Sequence, residues 1–353
     1  MNNFENLLLK CIETGASDLH LKSGESPRFR LQGKLVPLAG SLVLTKDEII
    51  QGVRGFVEKK KFDNFESKGS IDGAFKFENK RFRFNLFKQS NSITISLRML
   101  SDKINGLQTL GVPEALYRVC GMKNGLVIVS GPTGSGKSTT MSALIDKINS
   151  EQNKHIITIE EPIEYIYESK MSLVNQREVG VDTPDFYSAL VDSLRQDPDV
   201  ILIGEIREIN TIRTAITAAE TGHLVFATVH SEDTTSAIER LVSVFPPEEQ
   251  DSIRKQLSLT LKAIVSQTLI LADGNKAEEG RRVPVCEILF SNNAVRNQIA
   301  SGKSRLIYSS IEMAQQEGMQ TFEKHLSELL QEGTLSRDTV MLLANNPESI
   351  TLV

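Results

Sequence analysis

The sequence contains no tryptophan and only three cysteines among its 353 residues, and no two of the cysteines form a CxxC pair. Cys11, Cys120 and Cys286 are far apart and odd in number, so the sequence indicates neither a disulfide framework nor a cysteine-ligated zinc site. Thiols without such partners are typical of proteins in a reducing compartment. We therefore expect a cytoplasmic protein.

Long apolar runs and an excess of basic charge are also missing. No run approaches the ~20 apolar residues that a membrane span needs, and the polar, acidic start MNNFENLLLKCIETG does not resemble a signal peptide. We expect no direct membrane span, so any membrane role has to pass through a partner. The formal net charge of −5 argues against a dedicated nucleic-acid binder, which usually carries a basic face, and no nucleic-acid partner is expected.

The first hundred residues have the pattern of a small α+β domain. Residues 4–14 predict a short helix with apolar side chains on one face. Residues 81–87 and 92–99 alternate between apolar and polar side chains, as strands of an antiparallel sheet do. We expect a domain over residues 1–100 and a linker over residues 101–115, where glycines and a proline interrupt the pattern.

From residue 116 to residue 353 the pattern changes to that of an α/β domain. Beyond residue 246 the sequence reads as mostly helical, with a polar insert at residues 272–282 that we interpret as an exposed hairpin. Short runs that are apolar on both faces predict strands buried between helices in a parallel sheet, and they occupy residues 126–129, 156–159, 200–203 and 224–229.

A phosphate-binding motif follows the first of these strands. Residues 131–138, GPTGSGKS, match the pattern GxxxxGK[ST] and precede an amphipathic helical segment, as a P-loop requires. Lys137 would place a positive charge on the β- and γ-phosphates of ATP, and Ser138 would offer a hydroxyl to Mg²⁺. The candidate nucleotide-binding residues are Gly131, Pro132, Thr133, Gly134, Ser135, Gly136, Lys137, Ser138 and Thr139.

Acidic and histidine side chains follow three of the predicted strands. Ligands of open α/β sheets bind at the carboxyl ends of the strands, so these side chains are candidates for metal and water chemistry. Glu205 ends the strand that corresponds to a Walker B segment, and we expect it to act on Mg²⁺ together with Ser138. His223 is a further catalytic candidate, with a helix-end position as the alternative. The remaining candidates at strand ends are Glu160, Glu164 and His230.

Several segments resemble the PilT family, the type IV pilus retraction ATPases of the secretion-ATPase superfamily. GASDLHL (15–21) and GMQTFEKHL (318–326) resemble the family's N-terminal signature and C-terminal part, so the resemblance covers nearly the whole chain. The motor segments that carry it are GPTGSGKSTT (131–140), TIEEPIEY (158–165), SLVNQREV (172–179), LRQDPDVILIGEIR (194–207) and AAETGHLVFATVH (218–230).

The resemblance implies a homohexameric ATPase ring that powers pilus disassembly and twitching motility. Each subunit would have a PAS-like N-terminal domain and a RecA-like ATPase domain with a helical C-terminal part. The ring would be peripheral at the inner membrane and act through a pilus platform protein there, with a paralogous retraction ATPase as a further candidate partner. A neighbouring subunit would complete each ATP site. The family's catalytic positions fall on Glu164, Glu205 and His230, and its trans-acting arginines on Arg83 and Arg98.

A predicted hairpin also brings the two arginines together. We build it around a loop at residues 88–91. Pairing position 87 with position 92 places position 81 opposite 98 and position 83 opposite 96. Arg81, Arg83 and Arg98 then share a polar face, and we expect no acid on that face to offset them. In an ordinary strand such a face would simply be a solvated basic surface. Beside a nucleotide motor that resembles a ring-former, an anion is the natural partner, so we interpret Arg83 and Arg98 as arginine fingers that reach the γ-phosphate in the same or a neighbouring subunit.

Two departures from the family pattern keep other interpretations open. The segment TIEEPIEY has Glu161 where an aspartate is usual. AVRNQIASGK (294–303) has Gln298 in place of an apolar residue and Ala300-Ser301 in place of a charged pair. The alternatives are an accessory ring ATPase of the PilU type, a regulatory subunit with little turnover, a pilus extension motor, and a DNA translocase. The extension motor usually carries a tetracysteine zinc insert, and a translocase a basic, aromatic stripe that is not found here.

Overall fold

The structure is a computed structural model that describes residues 2–351 apart from residues 32, 39, 41–42, 58–61, 63–64, 91, 101–103 and 279. The chain forms two compact units. One comprises residues 1–103 together with Pro162–Ile166, and the other comprises Ile104–Glu161 and Tyr167–Val353. Residues 101–103 of the expected linker lie outside the described residues, and the rest of it contains a short helix, Leu107–Leu110.

The first unit is built on an antiparallel sheet with strand order β3-β2-β1-β6-β5-β4. Its elements are α1 (Asn3–Thr14), β1 (Asp18–Lys22), β2 (Arg28–Leu31), β3 (Lys34–Pro37), α2 (Lys46–Arg54), α3 (Phe65–Lys68), β4 (Ser70–Phe77), β5 (Lys80–Gln89) and β6 (Ser92–Met99). The helix expected near the start is confirmed: the Asn2 side chain caps it, Gly15 ends it in a left-handed conformation, and its buried residues include Phe4 and Leu8.

The β5–β6 hairpin is present, but the register that we expected for it is wrong. Gln89 pairs with Ser92, so only positions 90 and 91 lie between the paired residues, and Asn91 is outside the described residues. Arg83 therefore lies directly opposite Arg98 instead of opposite Ser96. The reason is Ser90, whose φ of +43° permits a tight turn that normally calls for glycine or asparagine.

The second unit surrounds a mixed sheet with strand order β13-β12-β7-β11-β10-β8-β9. Its elements are α4 (Leu107–Leu110), a 3₁₀-helix (Glu114–Gly121), β7 (Gly125–Ser130), α5 (Lys137–Glu151), β8 (His155–Glu160), β9 (Leu173–Glu178), α6 (Phe186–Ser193), β10 (Val200–Ile203), α7 (Ile209–Glu220), β11 (Leu224–Val229), α8 (Thr234–Ser243), α9 (Pro247–Thr260), β12 (Leu261–Leu271), β13 (Arg282–Phe290), α10 (Asn293–Ala300), α11 (Ile307–Met313), α12 (Phe322–Gln331) and α13 (Arg337–Leu343). The α/β fold class is confirmed.

The four predicted strands form the centre of this sheet, as β7, β11, β10 and β8, and they pair in parallel. Their side chains are buried on both faces, which explains why their sequences show continuous apolar runs instead of alternation. Helix α5 buries the expected stripe of Met141, Leu144, Ile145 and Ile148 against them. The parallel arrangement places the carboxyl ends of all four strands at one edge.

The expectation of a mostly helical tail is wrong for residues 261–271 and 282–290, which form two strands. Strand β12 pairs in parallel with β7, and β13 returns antiparallel to β12, with Leu271 opposite Arg282. The polar insert between them is the predicted hairpin connection. The run LKAIVSQTLIL is as apolar as a buried helix, so periodicity alone could not separate the two structures.

Candidate functional site

The phosphate loop connects β7 to α5 and depends on glycines for its shape. A Cβ atom on Gly131 would lie 2.2 Å from the backbone oxygen of Gln267, and Gly131 has a φ of +146°. Gly136, at the start of α5, has a φ of +87°, and its Cβ would meet the Gln267 amide nitrogen at 2.8 Å. Only glycine fits either position, because both space and backbone conformation exclude a side chain.

Lys137 lies in the first turn of α5, with its ammonium group folded back onto the loop. The Lys137 Nζ atom donates to the carbonyl oxygens of Gly131 at 2.7 Å and Pro132 at 2.9 Å. It also lies 3.5 Å from Nδ1 of His230, which follows the neighbouring strand β11. A cation is thus fixed at the mouth of the loop, beside the N-terminus of a fifteen-residue helix whose dipole adds positive potential.

Glu205 and His230 meet at the carboxyl edge of the sheet. The His230 Nε2 atom lies 3.3 Å from Oε1 of Glu205, and Arg207 also bonds to that carboxylate. Burial and the positive charge of Lys137 lower the pKa of His230, although the Glu205 carboxylate opposes this shift. His230 is therefore neutral at pH 7, with one ring nitrogen facing a cation and the other a carboxylate.

Glu160 is buried at the end of β8, where its carboxylate is held by two polar neighbours. Its Oε1 atom accepts hydrogen bonds from the Thr158 hydroxyl at 2.6 Å and from the Gln176 side chain at 3.2 Å. Gln176 belongs to β9, an edge strand that the sequence did not lead us to expect. Glu160 therefore has a fixed orientation, as a carboxylate that orients water or metal must have.

The oxygen atoms at this edge suit a magnesium ion that arrives with a nucleotide. The Ser138 residue is exposed and Glu205 is partly exposed, and hydroxyl and carboxylate oxygens are ligands that Mg²⁺ prefers when phosphates complete its shell. Across the described residues, no group of three or more His, Cys, Asp or Glu side chains could hold a metal ion by itself. The Ser138 hydroxyl and the Glu205 carboxylate fit the donor types of a magnesium ion that phosphates also bind.

Gln267 is a residue of this site that sequence reasoning missed. It lies on β12 beside the loop, with only 3% of its surface exposed. Its side chain contacts both the loop and the first turns of α5. The sequence feature that could have revealed Gln267 is a polar pair, Ser266-Gln267, inside an otherwise apolar run.

His223 does not lie with the other candidates of its own chain. It precedes β11, whereas His230 follows that strand, so the two histidines are at opposite edges of the sheet. Its Nδ1 atom lies 3.0 Å from the Ala218 carbonyl oxygen at the end of α7. This is the helix-end position that we gave as the alternative.

Glu164, Arg83 and Arg98 belong to the first unit and are described within it. The expectation of an uncompensated basic face there is wrong. The Arg98 Nε atom donates to Oδ1 of Asp18 at 2.9 Å, and the Arg30 Nε atom lies 3.6 Å from Oδ2 of the same carboxylate. Asp18 faces Arg98 across the β1–β6 pairing, 80 residues away in sequence, which is why the isolated hairpin did not reveal it.

Comparison with known proteins identifies the family. The model of the type II/IV secretion system protein family matches residues 2–342. The chain belongs to this family. The expected resemblance to PilT is confirmed: the chain is 42% identical over 351 residues to the type IV pilus retraction ATPase PilT of Pseudomonas aeruginosa, covering 97% of this chain and 98% of that protein.

Two further members of the secretion system family are informative. The type IV pilus ATPase PilU of Pseudomonas aeruginosa is 35% identical, with 99% of this chain and 91% of that protein covered. A crystal structure of the pilus retraction motor PilT with bound ADP superposes with a TM-score of 0.90 at 39% identity, covering 99% of each chain. Both the sequence and the fold therefore match PilT over their whole length.

The atypical segment at residues 294–303 is accommodated in this family member by a local polar pair. Gln298, in α10, exchanges hydrogen bonds with the Ser310 hydroxyl of α11 at 2.9 and 3.0 Å. The amide that replaces an apolar residue thus has a partner between the two helices.

None of the helices in the described ranges has the length and apolar character to cross a membrane.

Proposed function

We propose that this chain is a P-loop ATPase that powers type IV pilus retraction as a homohexameric ring. The observation that carries the proposal is the placement of Lys137 at the phosphate loop, next to His230 and through it Glu205. The whole-length similarity to PilT supports pilus retraction as the work that this ATPase does. In this proposal the first unit is a PAS-like domain, and the second is a RecA-like motor with a helical C-terminal part.

The phosphate loop would bind the β- and γ-phosphates of ATP. Its backbone N–H groups and the dipole of α5 supply the cradle, and Lys137 exchanges its contacts to the Gly131 and Pro132 carbonyls for phosphate oxygens. Mg²⁺, held by Ser138 and Glu205 with the phosphates, would neutralise negative charge. The adjoining loop residues from Thr133 to Thr139 complete the contacts.

Glu205 would orient the water that attacks the γ-phosphate, since it stands at the carboxyl end of β10 in contact with a neutral histidine. His230 would couple Lys137 to Glu205, because its uncharged ring can accept from the Lys137 ammonium at Nδ1 and donate to the Glu205 carboxylate from Nε2. Glu160 and Glu164 are proposed as further water-orienting carboxylates. His223 would act there only through a neighbouring subunit.

Arg83 and Arg98 are proposed as arginine fingers for the γ-phosphate of ATP. They face each other across β5 and β6, and both are exposed. A finger of this kind can raise turnover by ~10³–10⁵-fold. The ring would act from the cytoplasm on an inner-membrane platform protein of the pilus, with a paralogous retraction ATPase as the candidate second partner.

A second candidate function is that of an accessory ATPase of the PilU type. The observations that favour it are the 35% identity to PilU and the Gln298–Ser310 pair in a segment that departs from the retraction motor pattern. An accessory ATPase would hydrolyse ATP but would need a second motor for retraction.

The experiment that tests both functions is deletion of the gene, with complementation by the wild-type chain and by Lys137→Ala. A retraction motor predicts a strain that is non-motile on surfaces and carries excess pili, restored by the wild-type chain only. An accessory ATPase predicts a strain that still retracts its pili through the second motor. A strain without pili would contradict both and indicate extension.

A further inference from the structure

We propose that Gln267 is a positioning residue that aims the backbone N–H of Gly136 at the bound phosphates. This inference rests on the proposed nucleotide site but not on pilus retraction. It concerns a side chain that sits behind the phosphate loop and does not itself touch the ligand.

The orientation of the Gln267 amide is determined by its neighbours. Its Nε2 atom lies 2.7 Å from the Ser135 carbonyl oxygen, and its Oε1 atom lies 2.8 Å from the Thr140 hydroxyl. A carbonyl oxygen can only accept, so the nitrogen must face Ser135, and the oxygen then accepts from Thr140. All three residues are almost fully buried, so water does not compete for these bonds.

The bond to Ser135 has a consequence for the next residue. A trans peptide unit is planar, so the Ser135 carbonyl and the Gly136 N–H point in opposite directions. Because Gln267 holds the carbonyl against β12, the Gly136 N–H points away from β12. Among the hydrogen bonds of the described residues, none uses that N–H, whereas the amide of Ser135 is bonded within the loop to Pro132. An aimed, unbonded N–H at the start of a helix is the kind of donor that binds an anion.

Because residue 136 is glycine, the orientation of the Ser135–Gly136 peptide has to be held by another residue. Glycine has the least restricted backbone, so the Ser135–Gly136 peptide could rotate if nothing held it. A substitution at Gly136 cannot supply the restraint, because a Cβ there would meet the Gln267 Nε2 atom at 2.8 Å. The restraint comes instead from β12, a strand distant in sequence, and the Ser135 carbonyl itself requires the amide nitrogen of Gln267 to face it.

Three variants separate this role from ordinary packing. Gln267→Glu keeps an oxygen that accepts from Thr140 but removes the donor to Ser135. Gln267→Met removes both bonds without adding charge. Thr140→Val is the matched control, since it removes only the Thr140 bond and leaves the Ser135 bond in place. Affinity for ADP and ATP is measured by titration calorimetry on the assembled protein, and thermal unfolding without nucleotide is measured in parallel.

We expect Gln267→Met to weaken binding of both nucleotides by about 10-fold or more, which is the effect of losing one well-placed hydrogen bond to a charged ligand. Gln267→Glu should weaken binding at least as much, and Thr140→Val by less than about 3-fold at a comparable change in thermal stability. Unchanged affinity in Gln267→Met, or equal losses in Gln267→Met and Thr140→Val, would overturn the proposal. If Gln267→Met does not fold, the near-isosteric Gln267→Glu decides by the same comparison.

Failure of this inference is distinguishable from failure of the proposed function. If the wild-type chain binds ATP and Lys137→Ala does not, the site stands whatever the Gln267 variants do. If the wild-type chain binds no nucleotide, the function itself is wrong.

Discussion

Arg98 is held between two side chains of opposite character, with Arg83 directly across from it on β5 and the Asp18 carboxylate on β1. Two cations at paired positions repel each other by roughly 0.2–1 kcal/mol, and a carboxylate that bonds one of them reduces this cost and fixes its direction. Arg98 remains largely exposed although its Nε atom is bonded. Its terminal nitrogens are therefore presented outward from an anchored stem.

The proposed finger role of Arg83 and Arg98 can be tested by substitution and by mixing variant subunits. Arg98→Ala and Arg83→Ala should each reduce ATP turnover by at least about 10³-fold if they act as fingers. If a finger serves the neighbouring subunit, mixing Arg98→Ala with Lys137→Ala subunits should restore part of the turnover. The matched control is Lys76→Ala, an exposed cation of the same sheet that pairs with Arg81. Full turnover in both arginine variants would show that this face has no catalytic role.

Asp18→Asn tests whether the orientation of the Arg98 side chain matters, because it leaves the charge of Arg98 itself unchanged. It removes the anion that anchors Arg98 while leaving a side chain of the same size. Turnover at saturating ATP should fall by about 10-fold, the effect of losing one charged hydrogen bond, while nucleotide affinity stays within about 2-fold. Steady-state kinetics combined with nucleotide titration measure the two effects. A fall in affinity without a fall in turnover would contradict the role of Asp18.

Glu205→Gln should separate binding from hydrolysis. The phosphate loop supplies most contacts to the nucleotide, while Glu205 acts on water and metal, so ATP should bind with near wild-type affinity and turn over at least about 10²-fold more slowly. Lys137→Ala is the contrasting variant, because it removes the cation that the loop holds and should lose both properties. Lost affinity together with normal turnover in Glu205→Gln would be inconsistent with the assigned role.

The cysteines predict a protein without zinc. Cys11, Cys120 and Cys286 are all buried, and burial raises the pKa of each thiol to about 12. Metal binding and alkylation both need the thiolate, so native protein should contain no stoichiometric zinc and should react with iodoacetamide only after unfolding. Elemental analysis and mass spectrometry of alkylated protein check this. One tightly bound zinc per chain would reopen the extension-motor alternative.

His325 predicts a loss of stability in weak acid. Burial in α12 lowers its pKa from 6.5 to about 4, and its Nδ1 atom accepts a hydrogen bond from the Cys286 N–H. Between these two pKa values unfolding takes up a proton, so the free energy of unfolding falls as the pH falls, by up to about 1.4 kcal/mol per pH unit. The stability difference between wild type and His325→Gln, which does not titrate, should shrink from pH 7 to pH 5. A pH-independent difference in urea denaturation would contradict it.

The centre of the motor sheet could be predicted because its local pattern has one interpretation. Runs such as Val200–Ile203 are too short for a helix and apolar on both faces, and the phosphate loop fixes the order of strand, loop and helix around Lys137. The same argument could not predict β12, because an apolar run of eleven residues fits a strand or a buried helix equally well. Gln267 was missed for that reason.

The errors in the first unit came from pairings that local pattern does not specify. The alternation of β5 and β6 gives the faces correctly, but the register depends on the turn, and Ser90 adopts a positive φ without being glycine. Asp18 reaches Arg98 only because β1 lies next to β6. Long-range strand neighbours of this kind are set by the assembled sheet.

The distance in sequence between Ser135 and Gln267 has a consequence for synthesis of the protein on the ribosome. The two residues are hydrogen-bonded although 132 positions separate them, and β12 also pairs with β7 in the sheet. At about 5–20 residues per second, the ribosome adds these positions over on the order of ten seconds. During that time a nascent chain contains the complete GPTGSGKS motif without the strand that shapes it. If the loop binds ATP as proposed, it can do so only after β12 has been synthesised, so nucleotide binding would come late in the synthesis of the chain.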